Sequence, residues 1–395
     1  MEKSSNSYNN LNFRAVITII FNLSVLFGLS QTIPGPLIPI FIKEFDIGYD
    51  QIGLIFFIGL FFGMITATIF GRLSDKIGRK PIINLGIGFL AGGILGIILS
   101  SSAVFFTISY SIMNLGFGIL EAGITTGAAE LGGDNRSFIL TGFSKYGSLG
   151  AFIGPLLLFI ILYFGLWWKI IFILLFVAFV VIFFLFLRVN YPKKQYHQEH
   201  INISFKDIIN PIIIIGALVL IFHNGVIITF GSWFTTYFSA FKISVEFSSI
   251  AVAFYWLSIL LGRVLTQRII QKIDEKRFLI IAGFASAVVL ALIAFSSNVV
   301  IKIVFSFILG LLISGIYPIL LSIIFSTNPK IIGRIFSLLG LVGYGSVMMF
   351  QLIIGYFAEN YGEETIIYIQ LASSVLCFIF ILLMIKYKNK KIFDF

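Results

Sequence analysis

The chain has 395 residues, of which 59% are hydrophobic and 11% charged, and its mean hydropathy is +1.06. Because soluble domains carry about 25% charged residues, this composition excludes a soluble globular protein and predicts an all-α membrane protein. The formal net charge of +10 could by itself suggest nucleic-acid binding. The basic residues lie mainly in the gaps between apolar stretches, where they set membrane orientation, so we expect no nucleic-acid partner.

Twelve apolar stretches are long enough to cross a bilayer, which needs about 20 residues. The first of them follows a polar N-terminal tail, residues 1–13, and is too long for the apolar part of a cleaved signal peptide. We therefore predict a multi-pass protein with twelve transmembrane helices. The predicted spans begin near residues 14, 51, 81, 103, 138, 166, 208, 246, 278, 298, 331 and 365.

The placement of Lys and Arg predicts the orientation of the chain. With the N-terminus inside, 22 of these residues fall in cytoplasmic segments and four outside, whereas Lys145 lies within a span. This excess follows the positive-inside rule and predicts a cell-membrane protein with both termini in the cytoplasm. The C-terminal tail, residues 389–395, continues a basic cluster that either contacts anionic membrane lipid or is an ordinary stop signal. The four outer cations are Lys43, Lys169, Lys242 and Lys302.

The first span carries the sequence SQTIPGPLIP at residues 30–39. Proline removes a backbone donor and leaves a carbonyl group unpaired, and broken helices occur at membrane depth where they line a cavity. Gln31 and Thr32 would then offer neutral hydrogen bonds to a polar solute. A kink formed only for packing is the alternative.

The gap between the second and third spans reads GRLSDKIGRK, residues 71–80. Taken alone, it is an ordinary basic loop in which Gly71 allows close helix approach and the Asp75 carboxylate can reach the positive end of a helix. Its pattern, Gly-x-Leu-x-Asp-[Arg/Lys]-x-Gly-Arg-[Arg/Lys], resembles the signature loop of the major facilitator superfamily. The resemblance implies a latch that holds the two halves of the protein in the outward-open state. Its members are Gly71, Arg72, Asp75, Gly78, Arg79 and Lys80.

The fourth span contains the only acidic residue well inside a predicted span, Glu121. Asn114, Gly118, Glu121 and Thr125 follow at intervals of three or four residues and share one helical face. A charge at this depth costs at least about 2.5–3.5 kcal/mol, so it is tolerated where it faces a cavity or a partner. Because desolvation disfavours the charged carboxylate, Glu121 suits the uptake and release of a proton. Asn114 and Thr125 would line the substrate cavity.

Lys145, in the fifth span, is the candidate partner of Glu121. Counted from the inner ends of their spans, both residues lie about 10–14 Å deep at 1.5 Å per residue. One interpretation is proton or substrate coupling at Glu121, with Lys145 modulating it. The other is structural: a buried ion pair that only satisfies two charges, or a Lys145 amine that reaches the cytoplasm.

A polar gap at residues 188–207 separates the first six spans from the last six. His197 and His200 lie in this gap and are interpreted as solvated residues rather than metal ligands, so we predict no metal site. The predicted parts are an N-terminal six-helix bundle at residues 14–189, a cytoplasmic linker at 190–207 and a C-terminal six-helix bundle at 208–388.

Two stretches indicate that the bundles arose by duplication. The sequences RSFILTGFSKYGS at 136–148 and RIFSLLGLVGYGS at 334–346 share seven of thirteen positions, including an Arg and a Tyr-Gly-Ser run. Chance similarity among apolar helices explains shared Ile and Leu better than it explains these residues. Two pseudo-symmetric repeats with a binding site near the midplane are an architecture of secondary transporters.

The seventh span, which includes FHNGVIITFGSWFTTYF, supplies further candidates. His223 is either a satisfied structural histidine or a second proton site, and Asn224 would line the cavity. Trp233 and Tyr237 either form an aromatic platform for a sugar ring or anchor the helix at the membrane interface. Additional lining candidates are Tyr317 in the tenth span and Tyr344 in the eleventh.

Three weaker patterns most resemble the fucose permease-like sugar transporters of the superfamily: GFGILEAG in span four, FSKYGSLGAFIGPLL in span five and Trp-x-x-x-Tyr in span seven. The resemblance implies alternating access by a monomer and symport of a sugar or similar small polar solute with protons or another ion. The alternative is a proton-antiporting exporter of drugs or other lipophilic molecules, although Asn114 stands where that class has an arginine. Nucleotide-binding and nucleophile motifs are missing from the sequence, so we expect neither an enzyme nor a cofactor.

Overall fold

The computed structural model describes residues 2–132, 136–191, 210–327 and 332–393. Within them, every element of regular structure is an α-helix, because lipid requires that backbone groups be satisfied inside each segment. The description excludes the side chains of residues 2–13, 72, 75, 125, 126, 128–132, 136–141, 327, 332–334 and 388–393. The helices are α1 (Glu2–Thr32), α2 (Ile38–Phe45), α3 (Tyr49–Ile77), α4 (Arg79–Leu99), α5 (Ala103–Gly132), α6 (Arg136–Tyr163), α7 (Ile170–Arg188), α8 (Pro211–Ser239), α9 (Val245–Ile269), α10 (Glu275–Phe295), α11 (Val299–Ile313), α12 (Ile316–Thr327), α13 (Ile332–Tyr361) and α14 (Thr365–Phe393).

The prediction of twelve spans is confirmed, since twelve helical stretches in the described residues have the length and apolar composition to cross a membrane. Each predicted start lies within four residues of the observed one. The tenth span consists of α11 and α12 together, Val299–Ser326, with a break at Ser314 and Gly315. The short helix α2 is not itself one of the twelve spans.

The predicted break in the first span is also confirmed. Helix α1 ends at Thr32 and α2 begins only at Ile38. Pro34 and Pro36 cannot donate backbone hydrogen bonds, and Gly35 between them adds no side chain to support a helix. The chain therefore turns at residues 33–37 and resumes as α2. The backbone N–H of Ile38, the first residue of α2, donates to the backbone oxygen of Gly35 in the turn at 3.0 Å.

The chain forms two compact units, and three helix pairings recur in both. In the first, α1 packs on α6, α4 on α5 and α4 on α7; in the second, α8 packs on α13, α10 on α11 and α10 on α14. This repetition is what duplication of one six-span bundle produces. The first unit is Met1–Pro34, Phe41–Ile47 and Ile55–Glu199, and the second is Gly35–Ile40, Gly48–Leu54 and His200–Phe395.

Most of the predicted linker, residues 190–207, lies outside the described residues, together with His197 and His200. The exact boundaries of the two bundles therefore stay a prediction. The C-terminal tail begins inside α14, which runs to Phe393.

Two of the four lysines predicted on the outer side are buried at helix ends. The Lys169 ammonium donates to the backbone oxygen of Ser100, the C-cap of α4, at 2.7 Å, and lies 3.4 Å from the Glu44 carboxylate. Lys302 donates to the backbone oxygen of Ile293, in the last turn of α10, also at 2.7 Å. A cation near a helix C-terminus is stabilising. Helices α4 and α10 hold equivalent places in the two units. Each has a lysine at its C-terminal end, which comes from the start of α7 in the first unit and from α11 in the second.

Candidate functional site

Asn114 and Gly118, the first members of the predicted polar face of α5, pack against α3. Asn114 is buried, and its side-chain amide donates to the backbone oxygen of Tyr110 at 2.9 Å. A Cβ atom at Gly118 would collide with the backbone of Gly63 and the side chain of Thr66. This part of the face therefore serves close helix packing, for which small residues are suited. The role of Asn114 in a substrate cavity stays a prediction.

Glu121 lies about one turn further along α5, and its side chain is half-buried. It stands eleven residues before the helix ends at Gly132, which is about 16 Å along the axis. Asp50 and Glu246, by comparison, lie in the first turns of α3 and α9. Among the acids of the described spans, Glu121 is the furthest from a helix end. The side chain of Thr125, the last member of the face, lies outside the described residues.

Lys145 lies on α6, which packs against α5, and its side chain is exposed. The adjacent Tyr146 stacks on Phe21 of α1 with ring centres 4.7 Å apart, so this turn of α6 is held against α1. The structure thus places Glu121 and Lys145 on contacting helices. The exposure of Lys145 argues against the alternative of a fully buried ion pair, and coupling between the two residues stays a prediction.

Gln31 and Thr32, at the end of α1, have different surroundings. Gln31 is exposed, whereas Thr32 is buried. The Thr32 hydroxyl lies 3.2 Å from the backbone oxygen of Ala151 on α6 and 3.1 Å from that of Gly28 in its own helix. Its hydrogen-bonding capacity is therefore used where α1 meets α6, which is the packing role left open above. Gln31 is the member of the pair whose amide remains accessible.

His223 and Asn224 are neighbours on α8 with different partners. His223 is 1% exposed, and its Nδ1 has no hydrogen-bond partner within the described part of the chain. A satisfied structural histidine would have one. The Asn224 amide donates to the Ser346 hydroxyl at 3.2 Å and to the backbone oxygen of Gly343 at 3.4 Å. Asn224 therefore connects α8 to α13, and His223 keeps an unused ring nitrogen.

Trp233 and Tyr237 are enclosed in the second unit. Trp233 is fully buried, and its indole N–H donates to the side-chain oxygen of Gln351 at 2.5 Å. Tyr237 is 1% exposed, and its hydroxyl oxygen accepts a bond from Lys302 at 2.5 Å. The same ammonium lies 5.0 Å from the centre of the Tyr237 ring. An aromatic platform needs an open ring face; the structure instead gives both side chains structural contacts.

Tyr317 and Tyr344 are less enclosed. Tyr317 lies in the first turn of α12, directly after the break in the tenth span, and is 37% exposed. Tyr344 is half-buried on α13, in the turn whose carbonyl and hydroxyl groups accept from Asn224. Both residues stay predictions as cavity residues.

The stretch predicted as a loop, residues 71–80, consists of the end of α3, the single residue Gly78 and the start of α4, so the connection is a sharp turn. Gly78 stands between the two helices with φ of 96°, a backbone conformation that favours glycine. Its N–H donates to the backbone oxygen of Ser74 at 3.0 Å, and the Arg79 guanidinium donates to the Ser74 hydroxyl. The turn is thus fixed by its own residues.

Lys80 attaches this loop to the end of α7. Its ammonium donates to the backbone oxygens of Leu187 at 2.8 Å and Val189 at 2.7 Å, where the last carbonyls of a helix lack internal partners. A Cβ atom at Gly71 would meet nothing within 4 Å among the described residues. Close helix approach at Gly71 therefore stays a prediction. The side chains of Arg72 and Asp75 lie outside the description.

The family model of the Major Facilitator Superfamily matches residues 20–349 and also residues 220–393. The first match alone covers more than half of the chain. The chain belongs to the major facilitator superfamily. It is therefore a multi-pass transporter with the fold of that superfamily, and it is not an enzyme.

Two curated proteins are similar to the chain in sequence. The chain is 24% identical to the Protein TsgA homolog of Buchnera aphidicola subsp. Schizaphis graminum over 324 residues, 81% of this chain and 82% of the relative. It is 33% identical to the glucose/mannose transporter GlcP of Bacillus subtilis (strain 168) over 95 residues, which is 24% of this chain and 23% of the relative. The second alignment thus spans only about a quarter of either protein.

The crystal structure of a D-xylose-proton symporter has the same fold. The TM-score is 0.74, and the alignment covers 93% of this chain and 96% of the symporter. The sequence identity is 13%, so this likeness establishes the fold alone.

Arg263 is a charged residue of the transporter that sequence reasoning placed in a cytoplasmic segment. In the structure it lies six residues before α9 ends at Ile269, about two turns inside the helix. It belongs to the same unit as His223. The signal for its position inside the helix was weak, because an arginine after a long apolar run is normally read as the end of a span.

The described residues of the transporter contain no group of three or more His, Cys, Asp or Glu side chains placed to hold a metal ion.

Proposed function

We propose that this superfamily member is a symporter that moves a sugar or similar small polar solute together with protons, by alternating access. The observation that carries the proposal is the position of Glu121. A carboxylate within the hydrocarbon region is costly, and neutralising it by proton uptake removes most of that cost. Glu121 therefore favours the protonated form whenever it faces an apolar surrounding and releases the proton when water reaches it.

The neighbours of Glu121 on α5 support this role. Asn114 and Gly118 are buried against α3, so Glu121 is the first member of this face whose side chain is not fully buried. Half-burial of its side chain is compatible with a group that exchanges protons, because complete burial would prevent contact with water. Exposed Lys145 on the adjacent helix would lower the cost of the charged state.

Two named proteins support the class of solute. The relative GlcP is a glucose/mannose transporter, and the structural neighbour is a D-xylose-proton symporter. Side chains that could hydrogen-bond a polyhydroxylated solute are those of Gln31, which is exposed, and Tyr317, which is 37% exposed. We extend the proposal to location: the transporter resides in the cell membrane with both termini in the cytoplasm, as the excess of cations in alternate loops indicates.

Transport by purified protein in liposomes tests the proposal. An inward proton gradient is imposed, uptake of labelled D-xylose, D-glucose and uridine is followed, and an enclosed dye reports the internal pH. We expect one of the sugars to accumulate above its external concentration and to acidify the interior only while it enters. Liposomes without protein provide the control.

Other outcomes would contradict the proposal in distinct ways. Sugar entry that equilibrates regardless of the gradient would indicate facilitated diffusion. Proton-driven loss of an enclosed lipophilic dye, with no sugar uptake, would indicate the exporter alternative.

A further inference from the structure

A groove of about 550 Å³ runs along the surface of the first unit beside α4. It is lined by α4 residues between Pro81 and Gly92, by Ile112 of α5 and by Phe183 of α7. We call it the α4 groove. Its position on a membrane span means that lipid chains surround it.

The groove exists because two glycines of α4 have no packing partner. A Cβ atom at Gly88 or Gly92 would meet nothing within 4 Å among the described residues. Gly86 and Gly93, on another side of the same helix, lie against the backbone of α5, where a side chain would not fit. The glycines of α4 thus serve two purposes. Gly86 and Gly93 allow close packing against α5, whereas Gly88 and Gly92 leave the open space of the groove.

The length of the groove matches one leaflet of a bilayer. Pro81 and Gly92 are eleven residues apart, or about 16 Å along the helix axis. The hydrocarbon core is about 30 Å thick, so each leaflet contributes about half of that. The open face ends at Gly96, where the side chain of Ser109 occupies the space. A single acyl chain entering from one side fits this length.

The Pro81 end of the groove is polar and basic. Lys80 directly precedes Pro81, and Arg188 is an exposed cation five residues after Phe183 on α7. The side-chain oxygen of Asn84, which lines the groove, is buried and has no hydrogen-bond partner within the described ranges. The two cations favour an anion at the mouth of the groove, and Asn84 adds a polar side chain one turn deeper.

We propose that the α4 groove binds one acyl chain of an anionic phospholipid of the phosphatidylglycerol type. The phosphate lies near Lys80 and Arg188, and the glycerol esters lie at the depth of Asn84. The chain extends over Gly88 and Gly92. This site is independent of the solute that the transporter carries.

A helix from another protein or a second copy is the competing occupant, because glycines four residues apart also occur where transmembrane helices meet. Such a helix would run along the full span, whereas the open face closes at Gly96. A partner helix also offers no reason for the cations at one end. Both observations favour the lipid.

Lipid retention by the purified full-length protein tests the site. The protein in detergent is incubated with dioleoyl phosphatidylglycerol or with dioleoyl phosphatidylcholine, which has the same chains and a zwitterionic headgroup. Bound lipid is counted by native mass spectrometry. We expect one phosphatidylglycerol per chain to be retained preferentially. Arg188→Gln should weaken this preference by about fivefold, the effect of one cation at a lipid surface.

Gly92→Leu should abolish the preferential retention because leucine fills the groove without meeting another part of the unit. Gly340→Leu on α13 is the matched control, since a Cβ atom there also meets nothing within 4 Å among the described residues. It should retain the lipid normally and shows that an added leucine does not by itself unfold the protein. Equal retention of both lipids, or retention unchanged in Gly92→Leu, would overturn the proposal. A dimer that Gly92→Leu converts to monomers would assign the groove to a helix instead.

Discussion

Lys302 of α11 donates a hydrogen bond to the hydroxyl oxygen of Tyr237 on α8 at 2.5 Å, and a second to the backbone oxygen of Ile293 on α10 at 2.7 Å. One buried ammonium therefore joins three helices of the second unit. From the sequence, Lys302 was expected on the outer side, and Tyr237 was expected either in a sugar platform or as an interface anchor. In the structure each residue is the other's partner.

Lys302→Met should lower the thermal stability of the purified protein. The substitution leaves the Ile293 carbonyl and the Tyr237 hydroxyl without their donor, which costs about 1–3 kcal/mol for each buried group left unsatisfied. Tyr237→Phe should cost less, because Lys302 keeps the Ile293 carbonyl. The control is Lys242→Met, at an exposed lysine, which should leave the unfolding temperature unchanged. Equal effects of Lys302→Met and Lys242→Met would contradict the assigned contacts.

Two glycines of the loop at residues 71–80 should respond in opposite directions to alanine. Gly78→Ala forces a side chain into a backbone conformation with φ of 96°, and such strain costs of order 1–3 kcal/mol. Gly71 lies in a helix, and a Cβ atom there meets nothing within 4 Å among the described residues, so Gly71→Ala should be neutral or stabilising by about 0.5–1 kcal/mol. Unfolding temperatures in detergent decide this. A loss of stability in Gly71→Ala equal to that in Gly78→Ala would show that Gly71 is a packing position after all.

Substitutions should show that Gln31 binds the solute and that Thr32 has a structural role. Gln31→Ala should raise the KM for the transported solute with little change in unfolding temperature, because its amide is exposed. Thr32→Val keeps the shape but removes the bond to Ala151, and should lower stability by about 1 kcal/mol with an unchanged KM. The reverse pattern would mean that Thr32 is the residue that meets the solute. Uptake kinetics and thermal unfolding of the same preparations provide both readouts.

Asp75→Asn should slow transport without loss of solute binding. The family pattern assigns Asp75 to a latch, and a neutral amide would weaken any bond that needs a full negative charge. Asp274→Asn, in the corresponding loop of the second half, is the control, because the latch pattern is absent there. Binding is measured by thermal shift with solute and transport by counterflow. A collapse of binding in Asp75→Asn would place this residue in the solute site.

Features that depend on neighbours within a few residues could be predicted from the sequence. The twelve spans follow from apolar length, and the interruption after Thr32 follows from Pro34 and Pro36. In each case the physical cause is local, so no knowledge of the fold was needed.

Features that depend on distant partners could not be predicted. Thr32 meets Ala151, 119 residues away, and Lys302 meets Tyr237 at a separation of 65. The sequence pattern around a hydroxyl or an ammonium on an apolar helix is the same whether that group contacts solute, lipid or another helix. Arg263 illustrates the same difficulty, because only the observed end of α9 shows that it lies inside the span.

The central claim is that Glu121 couples solute movement to protons. The most direct measurement compares Glu121→Gln with the unmodified protein and with Glu246→Gln, whose half-buried carboxyl lies in the first turn of α9. All three are tested in liposomes for proton-driven accumulation and for counterflow, which needs no net proton movement. We predict that Glu121→Gln loses accumulation and keeps part of its counterflow, whereas Glu246→Gln keeps both. Accumulation at the unmodified level in Glu121→Gln would contradict the claim.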